Sequence, residues 1–412
     1  MSAMASIEMS HERATGALLA KPVILIAFAL TVAHAVFLAT FWVDGLWADR
    51  TGAPSDFIAV WAAGKLASAG HAMEVYDWGA HKLMEQTAIG HPFAGYFGFH
   101  YPPTFLFVAV ALSMLSYAAA YTVWTLGTFP VYLIAIRSIV GDRIGYLLAA
   151  AFPAVLANFT VGQNGFVTAG LIGGTLVLME KRPIVAGVLL GLLTFKPHLG
   201  LLFPIALIAG RQWRVLVTAT IVAIAMAAVS WLAFGTGAWQ AFIANIGHTS
   251  QAFLSEGFAD WRKLQTVFGL TRSLGGSESL AWTLQALATL AAAGAVAVLW
   301  RSTVQYEIKA AALATGLMLA TPYLYTYDLV ALAVPLAFLI RIGLARGFLP
   351  HELTGIGFAC LLVLIFPFVD APTGFAAQLI VSGLIAWRTL TAGNFVQPAA
   401  DGDLSHPAKA ID

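Results

Sequence analysis

Asp, Glu, Lys and Arg leave long gaps along the chain. None occurs in 22–43, 86–136, 144–179, 215–255 or 310–327. A helix crossing the hydrocarbon of a bilayer needs about 20 largely apolar residues. The charge-free stretches therefore read as spans, and the charged punctuation reads as loops. This pattern predicts spans near 22–42, 117–137, 144–160, 164–180, 183–195, 198–210, 213–234, 279–300, 307–323, 328–345, 353–369 and 372–389. The pair 183–195 and 198–210 is short for two crossings. Residues 103–115 (PTFLFVAVALSML) are too few for a comfortable span and suit an interfacial or re-entrant helix. Gly187 and Gly191 form a small-xxx-small pair suited to close helix packing.

Composition narrows the class. Of the 412 residues, 60% are hydrophobic and 10% charged, whereas soluble domains run about 45–50% apolar and about 25% charged. A single soluble domain is excluded, and disorder is excluded because disordered chains are poor in apolar residues. The formal net charge is +1, so no bulk field draws nucleic acid to the protein. The single cysteine, Cys360, excludes an internal disulfide framework. What remains is an all-α integral membrane protein, a bundle of about twelve transmembrane helices.

Basic residues set its orientation. If 103–115 does not cross, the inner side holds Arg13, Lys21, Arg137, Arg143, Lys181, Arg182, Arg211, Arg214, Arg301, Lys309, Arg341, Arg346, Arg388 and Lys409, which is 14 of the 21. That agrees with the positive-inside rule. Both termini are then expected in the cytoplasm, with large outer loops at 43–116 and 235–278. The first span is expected to remain uncleaved, because its apolar run exceeds a signal-peptide core. No repeat of 20–50 residues and no inverted duplication is evident. The expected organisation is one transmembrane domain over 1–390 and a disordered cytoplasmic tail over 391–412.

Polar features collect on the outer side. Asp56 opens a segment with Phe57, Val60 and Trp61 on one face of an amphipathic helix. Two readings stand: a helix N-cap, which Asp favours, or a general base whose pKa partial desolvation raises. Lys196 is the only charge between Arg182 and Arg211. It either snorkels to headgroups or marks a functional site, with His198 close by. Gln163 and Asn164 sit in VGQNG, where a turn is expected. Tyr101 precedes two prolines that suit a helix start. Tyr323, Tyr325 and Tyr327 read as interfacial aromatics. Asp328 either caps a span or serves as a second acid. Arg262 and Lys263 contact lipid headgroups or a phosphate.

These residues form an ordered set. SDFIAVWAAGKLASAGHAMEVYD, YPPTFLFVAVALSML, GQNGFVTAGLIGGTLVL and AGVLLGLLTFKPHLGLLFPIALIAGRQWR resemble glycosyltransferase family 87 over about residues 20–345. The family includes polyprenyl-phosphate-mannose-dependent mannosyltransferases. The resemblance implies a GT-C fold with juxtamembrane helices and an active site on the outer face of a bacterial-type plasma membrane. It implies a polyprenyl-phosphate-linked sugar donor, a lipid or glycan acceptor, and inversion at the anomeric carbon. The family's catalytic aspartate falls at Asp56. Lys196, His198 and Arg262 are then expected to stabilise the departing phosphate, and His100, Tyr101, Gln163, Asn164, Lys263, Tyr325 and Asp328 to bind donor phosphate or sugar. No cofactor is expected, and no metal, because the leaving group is a phosphate monoester and no DxD-like pair lies near Asp56. The rival reading is a transporter or flippase of a lipid-linked or small polar solute, which would need ionisable groups near the midplane and an internal repeat.

Overall fold

The computed structural model describes residues 2–42, 55–93, 95–258 and 260–392. Residues 393–412 of the expected tail and the opening stretch of the expected first outer loop, 43–54, lie outside the described residues. Within them the chain is helical, with no strand and one isolated bridge between Leu264 and Tyr325.

Helix α1 (Ser2–Thr40) carries the first apolar stretch and packs on α6 (Ile144–Ala151) and α7 (Ala154–Val161). Before those come two short helices in the stretch expected to form the first outer loop, α2 (Phe57–Ser68) and α3 (Trp78–Ile89), then α4 (Leu106–Ser113) and the long α5 (Tyr117–Val140). The expected amphipathic stripe on α2 is not what forms. Phe57, Ile58, Ala59, Val60, Ala62, Ala63, Gly64 and Leu66 are all buried, so the helix is covered nearly all round, and Trp61 is only partly covered. The reason is its fit against α4. A Cβ at Gly64 would stand 2.0 Å from the carbonyl oxygen of Ala109, so only glycine permits this approach.

The segment read as one straight span over 144–160 is two helices bent by 62°. Pro153 explains the break, because the residue before a proline is pushed out of the helical region. Phe152 accordingly adopts φ −63° and ψ 126°. Helix α8 (Gly165–Leu178) returns beside α5, and α9 (Pro183–Leu192) follows. Two 3-10 turns, Leu193–Phe195 and Pro197–Gly200, lead into α10 (Phe203–Ala209). Helix α11 (Trp213–Ser250) packs on α9 through the glycine pair. A Cβ at Gly187 would meet the Thr218 Cβ at 2.5 Å, and one at Gly191 the Val222 Cβ at 2.5 Å. The second outer loop was expected to open at 235, yet the chain turns at Gly235 (φ 81°) and continues helical to Ser250. Residues 215–255 carry no charge, so nothing in that stretch favours leaving the apolar layer.

Helix α12 (Val267–Ser273) falls in the stretch expected to form the second outer loop. It precedes α13 (Glu278–Arg301), α14 (Tyr306–Leu319), α15 (Ala333–Arg346), α16 (Glu352–Ile365) and α17 (Thr373–Ala392). Among the described residues, five helical stretches are long and apolar enough to cross a membrane: Lys21–Thr40, Tyr117–Val140, Trp213–Ser255, Glu278–Arg301 and Thr326–Arg346. The bent pair makes six. The expected twelve also counts shorter helices such as Gly165–Leu178 and Pro183–Phe195. Length alone does not qualify those as spans.

Candidate active site

The centre of the site is the turn Gly162–Gly165, which joins α7 to α8. Gly162 ends α7 at φ +68°, and a Cβ there would meet the Phe57 Cβ and the Tyr121 ring, both at 2.7 Å. Gly165 lies as tightly against the other side, where a Cβ would stand 2.5 Å from the carbonyl oxygen of Tyr327. Its N–H donates to Asn158 Oδ1 at 2.9 Å. Beneath the turn Phe129, Phe159 and Phe166 pack edge to face, with centroids 4.8–5.0 Å apart. Two close glycine contacts thus fix Gln163 beside the start of α2 and Asn164 beside the segment that leads into α15.

On the α2 side stands Asp56. It occupies the N-cap position, but its backbone is helical (φ −55°, ψ −23°) and its side chain caps nothing. The carboxylate instead accepts from Gln163 Nε2 at 3.4 Å, and Gln163 Oε1 accepts from the Tyr101 hydroxyl at 2.8 Å. Burial pushes the Asp56 carboxyl above the usual range. The Gln163 hydrogen bond and the charge of Lys263 pull it back down, and the charge of Asp328 adds to the rise. Of these effects desolvation is the largest.

On the other side stands Lys196, the linking residue between the two 3-10 turns, only 4% exposed. Its ammonium donates to Asn164 Oδ1 at 2.8 Å and forms an ion pair with Asp328, itself 2% exposed. Asp328 Oδ2 also accepts from the Tyr325 N–H at 3.2 Å, so it ties down its own turn. The Tyr327 ring lies 5.2 Å from the Lys196 ammonium. Lys196 therefore neither snorkels to the surface nor stands alone: it is a buried, compensated cation.

These groups open onto one cavity of about 970 Å³. Its polar wall includes Asp56, His100, Tyr101, Gln163, Lys196, His198, Lys263, Tyr325 and Asp328. Its apolar wall comes from Phe37 of α1, Ala154 to Val161 of α7, and the 363–367 end of α16. His100 Nδ1 lies 3.1 Å from Thr249 Oγ1. Nine of the eleven sequence-nominated residues are thus brought to one space. Asn164 sits behind Lys196. Arg262 does not line the cavity, because its guanidinium is engaged by Asp260 at 2.5–2.9 Å and by Asp370.

Three features had no sequence signal strong enough to nominate them. Thr249 lines the cavity from a stretch expected to be outer loop, and Trp282 from one expected to be plain span. The pairing of Lys196 with Asp328 joins residues 132 positions apart. Helix α3 buries His81 and Glu85 completely, with the ring nitrogen and carboxylate 3.6 Å apart. Burial raises the Glu85 carboxyl to about 8 and lowers the His81 ring to about 3. Only the i,i+4 spacing hinted at this last pair. Among the described residues, no group of three or more His, Cys, Asp or Glu side chains is arranged to hold a metal ion.

The family model for glycosyltransferase family 87 matches residues 99–322. That is 224 of 412 residues, more than half of the chain. The match spans His100, Tyr101, Gln163, Asn164, Lys196, His198, Arg262 and Lys263, and it stops short of Asp56, Tyr325 and Asp328 at either end. No curated protein and no solved structure matches. With membrane-length apolar helices around a mixed polar and apolar cavity, and with more than half of its length matched, the chain belongs to glycosyltransferase family 87 and is a membrane hexosyltransferase.

Proposed function

We propose that the protein is a GT-C-like enzyme that moves a hexose, mannose foremost, from a polyprenyl-phosphate donor to a hydroxyl of a lipid or glycan acceptor, with inversion, at the outer face of a bacterial plasma membrane. On this reading about twelve helical segments lie in the membrane, both termini are cytoplasmic, and α2 to α4 lie along the outer interface. The observation that carries it is the contrast within one cavity. Asp56, to which no cation is bonded among the described residues, faces a space whose one wall is apolar enough for a prenyl chain and whose other wall is polar enough for a sugar phosphate.

Asp56 takes the proton of the acceptor hydroxyl as its oxygen attacks the anomeric carbon. A carboxylate desolvated in this way is a stronger base than one in water, and a positioned base contributes about 10²–10⁴-fold. The sugar–phosphate bond breaks with its electron pair leaving on the phosphate. Lys263 at the cavity wall, His198, and the Lys196 ammonium aim positive charge or donors at that developing anion, an electrostatic role that gains strength away from bulk water. His100 and Tyr325 are placed for sugar hydroxyls. No metal enters the step, so enzyme treated with EDTA is expected to keep its turnover.

The test uses full-length protein in nanodiscs, with polyprenyl-phosphate mannose as donor and candidate lipid acceptors, read by product mass. Asp56→Asn is expected to abolish transfer. It should leave thermal stability nearly unchanged, because the side chain caps no helix and Asn replaces it closely in shape. Near wild-type turnover in that variant would refute the base assignment. Absence of donor consumption by the wild type under every condition would refute the donor class.

A further inference from the structure

Tyr101 is held on every side. Its ring packs against Phe105, Phe99 and Phe195 with centroids 4.8, 5.3 and 6.4 Å away, and its carbonyl accepts from the Tyr76 hydroxyl at 3.0 Å. It is 8% exposed, and its own hydroxyl reaches Gln163 Oε1 at 2.8 Å. Gln163 is fixed in turn, since the glycines on either side of the Gln163–Asn164 pair leave no room for the turn to shift.

Hydrogen-bond chemistry then permits one orientation. An ionised carboxylate only accepts, so the Gln163 amide must present its NH₂ to Asp56. The amide oxygen is thereby turned to Tyr101, whose hydroxyl must donate. Each link dictates the next, from a buried phenol to a reacting carboxylate. Gln163 lies 107 residues from Asp56 and 62 from Tyr101, so the folded turn alone brings the three together.

We propose that Tyr101 and Gln163 are positioning residues which engage one oxygen of Asp56 and leave the other, Oδ1, to receive the acceptor proton. The inference rests on the reading of Asp56 as base. In that step the acceptor O–H bond breaks and its proton passes to Oδ1. The acceptor oxygen bonds to the anomeric carbon, and the sugar–phosphate bond breaks with its electrons leaving on the phosphate. Gln163 and Tyr101 exchange no proton with substrate. They keep the carboxylate anionic and aimed, and a sugar-binding role for the two is not needed.

Tyr101→Phe retains the packed ring and removes only the link, and Gln163→Met removes the amide. Each, with the double variant, is assayed in nanodiscs with polyprenyl-phosphate mannose and an alkyl mannoside as acceptor. The bond removed by Tyr101→Phe joins two neutral groups, and its loss should lower kcat by up to about tenfold. KM for the donor should stay within about twofold, since the lost bond touches no substrate. The acid limb of kcat against pH should move to higher pH, in Gln163→Met because the carboxylate loses its donor and in Tyr101→Phe because the amide is no longer held toward it. The double variant should match Gln163→Met alone, as expected for residues acting in series. An unmoved acid limb in both single variants would overturn the proposal, as would losses that multiply in the double variant. If Tyr101→Phe does not fold, the acid limb of Gln163→Met decides alone. Asp56→Asn run in the same assay separates the two failures. Activity there sinks the base itself, whereas an inactive Asp56→Asn with unmoved limbs in the others sinks only the relay.

Discussion

Two carboxylates flank the Gln163–Asn164 turn, and neighbouring residues of that turn serve them. Asn164 helps hold the ammonium of Lys196, which neutralises Asp328 in a site only 2% exposed. Gln163 gives Asp56 an uncharged amide at 3.4 Å, in a position reached from the cavity, and among the described residues no cation bonds it. The two acids have the same chemistry and share a wall. A buried pair with its charge balanced is costly to break but has little reason to exchange protons. An acid whose desolvation is only partly offset holds a proton readily and gives it up again, which is what general base catalysis needs. On the proposed reading this difference makes Asp328 a structural partner and Asp56 the base.

That division breaks most visibly at Asp56. Asp56→Asn should lower turnover by about 10²–10⁴-fold, the usual worth of a positioned base, with the melting temperature close to wild type. Asp328→Asn should act the other way round. It leaves Lys196 buried without its counter-charge, a loss of about 3–5 kcal/mol in stability, seen as a lower melting temperature. Replacing both partners, Lys196→Met with Asp328→Leu, should recover much of that stability, because no lone charge remains. If Asp328→Asn is as stable as wild type and inactive, the roles are reversed.

A smaller effect should follow from moving α2 without touching its chemistry. Gly64→Ala puts a methyl where the carbonyl of Ala109 stands, and overpacking of this kind costs about 1–3 kcal/mol. Because α2 carries Asp56 at its first turn, kcat should fall along with stability. Loss of stability with unchanged kcat would detach the site from that helix contact.

The smallest effect concerns a third buried acid, Glu85. Its carboxyl is raised from 4.5 to about 8 by burial, so the folded protein favours the protonated form. The stability this contributes is complete below pH 4.5 and is lost as pH rises through about 8. Glu85→Gln cannot ionise, so its melting temperature should draw ahead of wild type by a few degrees across that window and stay level above it. Parallel melting curves against pH would show that Glu85 is not held protonated.

Much of this arrangement is legible before folding. Charge-free stretches locate the helices, and the positions of Asp56, Gln163, Lys196 and Asp328 stand out because so few polar groups interrupt them. Pro153 and Gly235 advertise the two breaks that the span pattern alone passes over. What the sequence does not carry is partnership. Lys196 has equal freedom to snorkel, to bind phosphate or to find a counter-ion, and only the fold brings Asp328 to it from 132 residues away. Asp56 reads equally as a cap until its side chain is seen to turn from the helix end toward Gln163. The burial of α2 was likewise hidden, since its cover is supplied by α4 through one glycine.

The measurement closest to the central claim is kcat against pH for three proteins: the wild type, Asp56→Asn, and Lys196→Met with Asp328→Leu. Burial holds the Asp56 carboxyl above its ordinary value, so wild-type activity should fall on the acid side as that group takes up its proton. The same limb should persist in the Lys196 and Asp328 double variant, because that variant removes a mutually neutralised pair and leaves Asp56 in place. It should be absent from whatever activity Asp56→Asn retains. An acid limb that survives in Asp56→Asn and vanishes with Asp328 would contradict the assignment.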